Sequence, residues 1–435
     1  MSTNKSYNSL RPWLMVAMLA FLMMINFIDK TSLGLAAQPI IDELGLTLSQ
    51  YGWINSGFFA FFSLTALLIG FVADRFSTKW IIAILAGVWG VAQISVVAAS
   101  SFTVLLILRM VLGAAEGPTY PIVNHAAYTW LTDRDRSLAS SIITAGGSVG
   151  VLAGVPLLTY FIVDYGWRSA FLVSGLISLA FCILWLMVGK EGPLSSNAPP
   201  TSADSLLDGL DVRPNYWQTV RTGTFLASVA AGFAAYWVIG NALAFSPLYL
   251  HAVLGLSASG VAQVTMAIQV FTITVAYVGQ GILTRWLLTR GISTRWARGV
   301  IGGICLIIAG VAHVGFVFVP SLPIKIFLAC LTHLSSSMFA ISQTVCAEIS
   351  HRGQRGRILG TYGALYPLAG VISPVVTGYL ASSLGTAHGL QVAWVVTSVL
   401  LFIAGAAAIA FIRPDRDVRR LMSATPTPDA PARLS

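Results

Sequence analysis

Charge is scarce in this chain: of its 435 residues only 9% are Asp, Glu, Lys or Arg, while 56% are hydrophobic and the mean hydropathy is +0.80. So little polar surface cannot coat a soluble globule. Cysteine is also sparse. The four present, Cys182, Cys305, Cys330 and Cys346, all lie inside apolar runs, where they read as small hydrophobes rather than disulfide partners or metal ligands. There is no H-E-x-x-H, no Walker loop, no cluster of His and carboxylate ligands and no Ser/His/Asp set, so neither an enzyme nor a metal or cofactor site is expected. The alternating ten-residue segments of an outer-membrane barrel are missing as well. The first apolar run lacks an A-x-A-like cleavage site and is too long for a signal peptide, so it is expected to be a retained span.

What the chain does have is apolar windows of helical, membrane-crossing length. Twelve spans are predicted, at roughly 12–37, 50–73, 80–100, 102–130, 137–163, 168–189, 220–250, 257–284, 297–319, 322–347, 357–382 and 388–412. The fold class expected is therefore an all-α polytopic membrane protein built from two six-helix halves. Its only long internal polar segment, KEGPLSSNAPPTSADSLLDGLDVRPNYWQ, is rich in Pro, Ser and Asp and divides the spans six and six. The expected organisation is an N-terminal bundle (1–189), a cytoplasmic linker (190–219), a C-terminal bundle (220–412) and a disordered tail (413–435).

The cations set the expected topology. With the N-terminus inside, Arg75, Lys79, Arg134, Arg136, Arg285, Arg290, Arg295, Arg298, Arg352, Arg355 and Arg357 all fall on the cytoplasmic side, and the outer loops keep Arg168 and Lys325. Both termini are thus expected in the cytoplasm of a cell with an inner membrane. The formal charge of +9 sits in short inter-helix loops and not on one aromatic-studded basic face, so nucleic acid is not an expected partner. The halves also echo each other: RDRSLA at 134 recurs as RGRILG at 355, and GVPLLTYF at 154 as SPVVTGYL at 373. Two six-helix repeats about a central site favour a transporter.

Against this apolar background, ionisable residues inside spans mark function by default. MMINFIDKTSLG places Asp29 and Lys30 side by side in the first span, and LRMVLGAAEGPTYP places Arg109 and Glu116 in the fourth. Arg109 and Glu116 are seven residues apart, so they share a helix face about 10 Å apart along the axis. Gly113, Ala114 and Ala115 leave little bulk between them, and Gly117, Pro118 and Pro121 weaken the helix just beyond. Asp29 and Lys30 point about 100° apart and need separate partners. Asn241, beside Tyr236 and Trp237 in the seventh span, suits either a substrate contact or a hydrogen bond between helices. His333 in the tenth span reads as a packing residue.

GFVADRFSTK, at the end of the second span, resembles the G-x-x-x-D-R-x-G-R-[RK] signature of the major facilitator superfamily, with Gly70, Asp74, Arg75 and Lys79 matching and Ser77 and Thr78 departing. NFIDK, RMVLGAAEGPTYP, WLTDRDR and WRSAF together resemble the anion:cation symporter family within it, which moves organic anions such as sugar acids and aromatic carboxylates. The resemblance implies proton-coupling roles for Asp29 and Glu116 and an anion site at Lys30 and Arg109, with Asn26, Phe27 and Phe62 contacting substrate; Asn241 is counted with the substrate contacts on its own position in the seventh span. It further implies a gate at Gly70, Asp74, Arg75 and Lys79. Carboxyls held in a low-dielectric cavity exchange protons nearer neutral pH, and neighbouring cations link that exchange to an anion.

Departures refine the expectation. The family's usual Arg is Lys30 here, a point charge and not a fork. Phe62 and Phe27 stand where Tyr is common, so the second-span stretch NSGFFAFFSL suits an aromatic or apolar-bodied carboxylate better than a polyhydroxy acid, although sugar-acid symport remains an alternative. GGSVGVLAGVP in the fifth span partly resembles the antiporter motif, but Val155 separates Gly154 from Pro156, which weighs against the other alternative, efflux. The expected partners are a small organic anion, protons and the lipid bilayer. Transport is expected to be driven by protons with no cofactor, and the chain to act as a monomer.

Overall fold

In the computed structural model, residues 10–69, 76–131, 133–193 and 215–424 are described. Among them, twelve helices are long and apolar enough to cross a membrane: Leu10–Leu35, Leu48–Ile69, Thr78–Ala98, Phe102–Tyr128, Leu138–Tyr165, Trp167–Val188, Gly223–Ala252, Ala258–Thr289, Arg295–Phe318, Leu322–Glu348, Gln354–Leu384 and Thr386–Phe411. These are called the first to twelfth spans below. Every predicted span has its counterpart, with edges shifted by a few residues. The first ends at Leu35, and a separate short helix, Ala37–Leu44, follows and is closed by Gly45 in the left-handed conformation (φ 60°).

Contacts divide the chain into two compact units. One contains Met1–Pro199, Gly240–Gln269 and Gly370–Leu390; the other contains Pro200–Ile239, Val270–Ala369 and Gln391–Ser435. Residues 194–214, most of the expected linker, lie outside the described residues, as do 425–435 of the expected tail.

Small residues set the packing of the first unit. In the fifth span Gly146, Gly150 and Gly154 recur every four residues and face the first span, where a methyl group at Gly146 or Gly150 would overlap the carbonyls of Ala20 or Met24. In the fourth span Gly113 and Gly117 bring the backbone against the carbonyls of Phe58 and Phe62 in the second. Such close backbone approach replaces the hydrophobic drive that lipid does not supply. It also sets how closely the first and fourth spans, which carry the ionisable residues, approach their neighbours the fifth and second.

The second unit has a core of buried small and aliphatic side chains, among them Ala227, Ala231, Ala235, Leu306, Ile341, Val345 and Leu401. Lys325 lies within the tenth span, not in a loop as its charge suggested. Its ammonium group donates to the carbonyls of Phe316 (2.9 Å) and Val317 (3.2 Å), satisfying the open end of the ninth span. The expected disordered tail is, from Pro414 to Ala424, a helix. Its first turn carries Asp415 and Asp417, where the helix dipole favours negative charge. Asp417 accepts from the backbone N–H and hydroxyl of Thr224 (2.8 and 2.7 Å), and Val418 and Leu421 are buried.

Candidate functional site

The first, second and fourth spans bring the site together within the first unit. Asn26 and Lys30 are one turn apart on the first span, so they share a face. The Lys30 ammonium donates to Asn26 Oδ1 at 2.5 Å. It lies 3.4 Å from Glu116 Oε2 of the fourth span. The same nitrogen sits 4.8 Å from the centroids of both Phe27 and Phe62, a cation held between two aromatic rings from different helices. Lys30, Glu116, Asn26, Phe27 and Phe62, singled out separately in the sequence, therefore meet at one point.

Glu116 occupies the last position of the helical segment Phe102–Glu116; Gly117 and Pro118 interrupt the span before it resumes at Thr119. Pro118 offers no N–H to the carbonyl one turn earlier, so the break is local and written into the sequence. A carboxylate at the carbonyl end of a helical segment gains nothing from the helix dipole. Its charge depends on Lys30.

Arg109 lies two turns back along the same segment and is buried. Its guanidinium carbon stands 4.6 Å from the centre of the Phe58 ring, and among the described residues no hydrogen bond reaches its Nε or Nη1. Buried guanidinium donors without partners are costly and constitute a ready anion contact.

Asp29 turns the other way. It is fully buried, and Ser178 Oγ of the sixth span donates to Oδ2 at 3.4 Å. Gln93 of the third span, whose Nε2 donates to Ser174 Oγ at 3.2 Å, completes this polar cluster. The adjacent pair Asp29 and Lys30 thus serves two different environments, as their 100° separation requires.

Asn241 is fully buried, and its Oδ1 accepts from Thr377 of the eleventh span at 2.9 Å, a bond between helices. His333 sits at a 3-10 turn in the tenth span, with Nδ1 against the Ala329 carbonyl (3.2 Å). Of the gating residues, Gly70, Asp74 and Arg75 lie outside the described residues. Lys79 is the second residue of the third span, after Thr78; the Thr78 backbone N–H donates to Glu191 (2.7 Å), and the Lys79 carbonyl accepts from the Trp185 indole (3.0 Å).

The sequence reading missed Phe58, Gln93, Ser174, Ser178 and Tyr51. The Tyr51 hydroxyl lies 3.0 Å from the Leu33 carbonyl and 3.1 Å from that of Ala244, so a single donor ties the first span to the seventh. Only its aromatic character beside Asn55 marked it. Ser178 and Gln93 are single polar residues in otherwise apolar runs, a signal that was available. The motif WRSAF has a structural part: Trp167 Nε1 donates to Glu43 Oε2 (2.7 Å), Arg168 pairs with Glu43, and Arg168 also donates to the carbonyls of Val97 (3.0 Å) and Ala99 (3.1 Å). The Glu43 carboxyl, outside the spans, is held below its ordinary value by the Trp167 indole and by Arg168.

Comparison with known proteins agrees with this architecture. Residues 19–331 and 287–433 match the Major Facilitator Superfamily. The chain is similar to a probable sulfoacetate transporter, SauU, of Cupriavidus necator (26% identity over 415 residues, covering 92% of this chain and 94% of that one). It is also similar to a hexuronate transporter of Bacillus subtilis (26% over 400 residues, 90% and 92%). Among solved structures, a bacterial homologue of the human lysosomal transporter Spinster superposes with a TM-score of 0.77 at 20% identity, covering 98% of this chain and all of that one. A D-xylose–proton symporter superposes at 0.75 with 13% identity, over 94% and 99%. With twelve membrane-length helices and a family match across most of its length, the chain belongs to the Major Facilitator Superfamily and is a multi-pass membrane transporter.

Proposed function

We propose that this transporter takes up a small organic anion together with protons, by alternating access. The observation that carries the reading is the Lys30–Glu116 pair between the first and fourth spans, 3.4 Å apart and walled by Phe27 and Phe62. An incoming carboxylate or sulfonate competes with Glu116 for Lys30. Once displaced from its cation in a desolvated site, a carboxylate is far easier to protonate. Anion entry and proton entry are thereby linked. Arg109 supplies the second cation for the cargo, and Asp29, in its own polar cluster with Ser178, supplies a second proton site. We place both termini in the cytoplasm on the distribution of Lys and Arg, in a cytoplasmic membrane, with the motif residues Gly70, Asp74, Arg75 and Lys79 as a gate and the chain acting as a monomer.

The aromatic walls favour a compact or apolar-bodied anion, and the likeness to a sulfoacetate transporter fits a small cargo. The likeness to hexuronate transporters supports a second reading, a sugar acid, for which Asn26 would meet a hydroxyl. Counterflow in proteoliposomes with sulfoacetate, an aromatic carboxylate and a hexuronate separates the two. Uptake of the preferred anion should alkalinise the external medium, and Lys30→Ala should abolish both signals. Anion uptake without alkalinisation refutes proton symport, and unchanged counterflow in Lys30→Ala removes Lys30 from the site.

A further inference from the structure

The turn between the eighth and ninth spans holds a feature that transport chemistry does not use. A groove of about 460 Å³ opens there, lined by Gly281, Thr284, Arg285, Leu288, Thr289 and Arg298. Its position is the end of two spans, since the eighth finishes at Thr289 and the ninth starts at Arg295. It therefore lies at the level where lipid headgroups meet protein.

From Gln280 to Arg298 the chain carries four arginines, at 285, 290, 295 and 298, and no acidic residue. Arg298 pairs with Glu348. Arg285 is exposed, and among the described residues no hydrogen bond or ion pair engages it. Of the two arginines that line the groove, Arg285 thus carries the uncompensated positive charge.

Its floor is closed: the Thr284 hydroxyl, buried, accepts from Gln280 Nε2 (2.7 Å) and donates to the Ala297 carbonyl (3.2 Å), so it has no donor left for an anionic ligand. Its wall is open because Gly281 has no side chain, and a Cβ built there would meet nothing within 4 Å. No packing demand explains that glycine; its effect is to leave space. Flanking the groove, Trp286 and Trp296 are 46% and 56% exposed, and Ile282 is 65% exposed. The Arg290 guanidinium stacks on Trp286 at 3.9 Å. Indoles at this depth belong to the headgroup belt, and the exposed Ile282 continues toward the acyl region.

The geometry points to a binding site for the phosphate headgroup of an anionic phospholipid, held by the exposed guanidinium of Arg285 beside the Glu348-paired Arg298, with the glycerol and first acyl carbons passing Gly281 and Leu288. Guanidinium forks match phosphate oxygens bidentately, and clustered basic side chains at a span end attract anionic lipid. A free phosphate would satisfy the arginines but not the apolar wall, and a zwitterionic headgroup would bring its own cation against them.

Native mass spectrometry of the purified full-length protein tests this with phosphatidylglycerol and phosphatidylcholine as probes. Wild type should retain phosphatidylglycerol in preference to phosphatidylcholine. Arg285→Gln and, separately, Gly281→Phe should each lower that retention about fivefold or more, while Arg420→Gln, which removes a charge from the C-terminal helix, should leave it unchanged. Gly281→Phe keeps every charge and fills only open space, so it decides the matter should Arg285→Gln fail to fold. Equal retention of both lipids, wild-type retention in Gly281→Phe, or stripping of the lipid by millimolar inorganic phosphate would each overturn the assignment.

Discussion

Replacing Glu116 by Gln keeps the shape of the side chain and removes its charge, which isolates its part in coupling. At 3.4 Å and an effective dielectric of about 20, the Lys30–Glu116 attraction is about 5 kcal/mol. An anion arriving in the wild-type site must overcome part of that attraction to reach Lys30. In Glu116→Gln the competitor is neutral, so if even a third of the attraction is recovered the anion binds roughly tenfold tighter. Accumulation should move the opposite way. Without the proton, a monoanion entering against 100 mV inside-negative meets about 2.3 kcal/mol, which holds its internal level roughly 50-fold below the external one. The assay is paired: equilibrium binding on purified protein, and uptake into proteoliposomes with an imposed pH gradient and potential. Tighter binding together with lost accumulation and surviving exchange is the expected result. Proton-driven accumulation at the wild-type level in Glu116→Gln would refute the competition between carboxylate and cargo for Lys30.

Two further predictions concern the frame around the site. Gly117→Ala sets a methyl group against the Phe62 carbonyl and should cost about 1–3 kcal/mol of packing while moving Phe62 off Lys30; a lower melting temperature in detergent and a raised KM are expected, and wild-type values for both would show that the second and fourth spans adjust freely. Glu43→Gln removes the charge opposite Arg168 and leaves an amide oxygen as acceptor for the Trp167 indole. Because the folded protein holds this carboxyl below its ordinary value of 4.5, its stabilisation is complete above that pH and lost as pH falls through the depressed value. Wild type should therefore melt above the variant at neutral pH and converge with it in acid, and a pH-independent gap would assign the difference to something other than the ionised carboxylate.

Much of the architecture was legible because the membrane restricts what the backbone can do: only closed hydrogen-bonded helices cross it, so apolar length alone places the spans. The ionisable residues were legible for the same reason, since each is expensive unless used. Which groups meet was not. Spacing puts Arg109 and Glu116 on one helix face, but the partner that reaches Glu116 is Lys30 from another span, decided by the glycine contacts that set helix approach. Likewise the Ser178 and Gln93 surroundings of Asp29 arise from three helices whose register no single-chain pattern encodes. The helix Pro414–Ala424 was missed for a different reason. Its signals were present, with Pro at the start, Asp415 and Asp417 in the first turn and apolar Val418, Leu421 and Met422 at helical spacing, but its polar composition read as tail.

Half-buried Lys30 and buried Arg109, Asp29 and Glu116 make a set of two cations and two carboxyls. Fully ionised, the set sums to zero, and this bounds the stoichiometry of the proposed cycle. A monoanion is matched when one carboxyl is protonated and a dianion when both are; a third negative charge has no proton site in the set to answer it. The number of protons carried is then dictated by the valence of the cargo, and each matched complex crosses as an electroneutral unit.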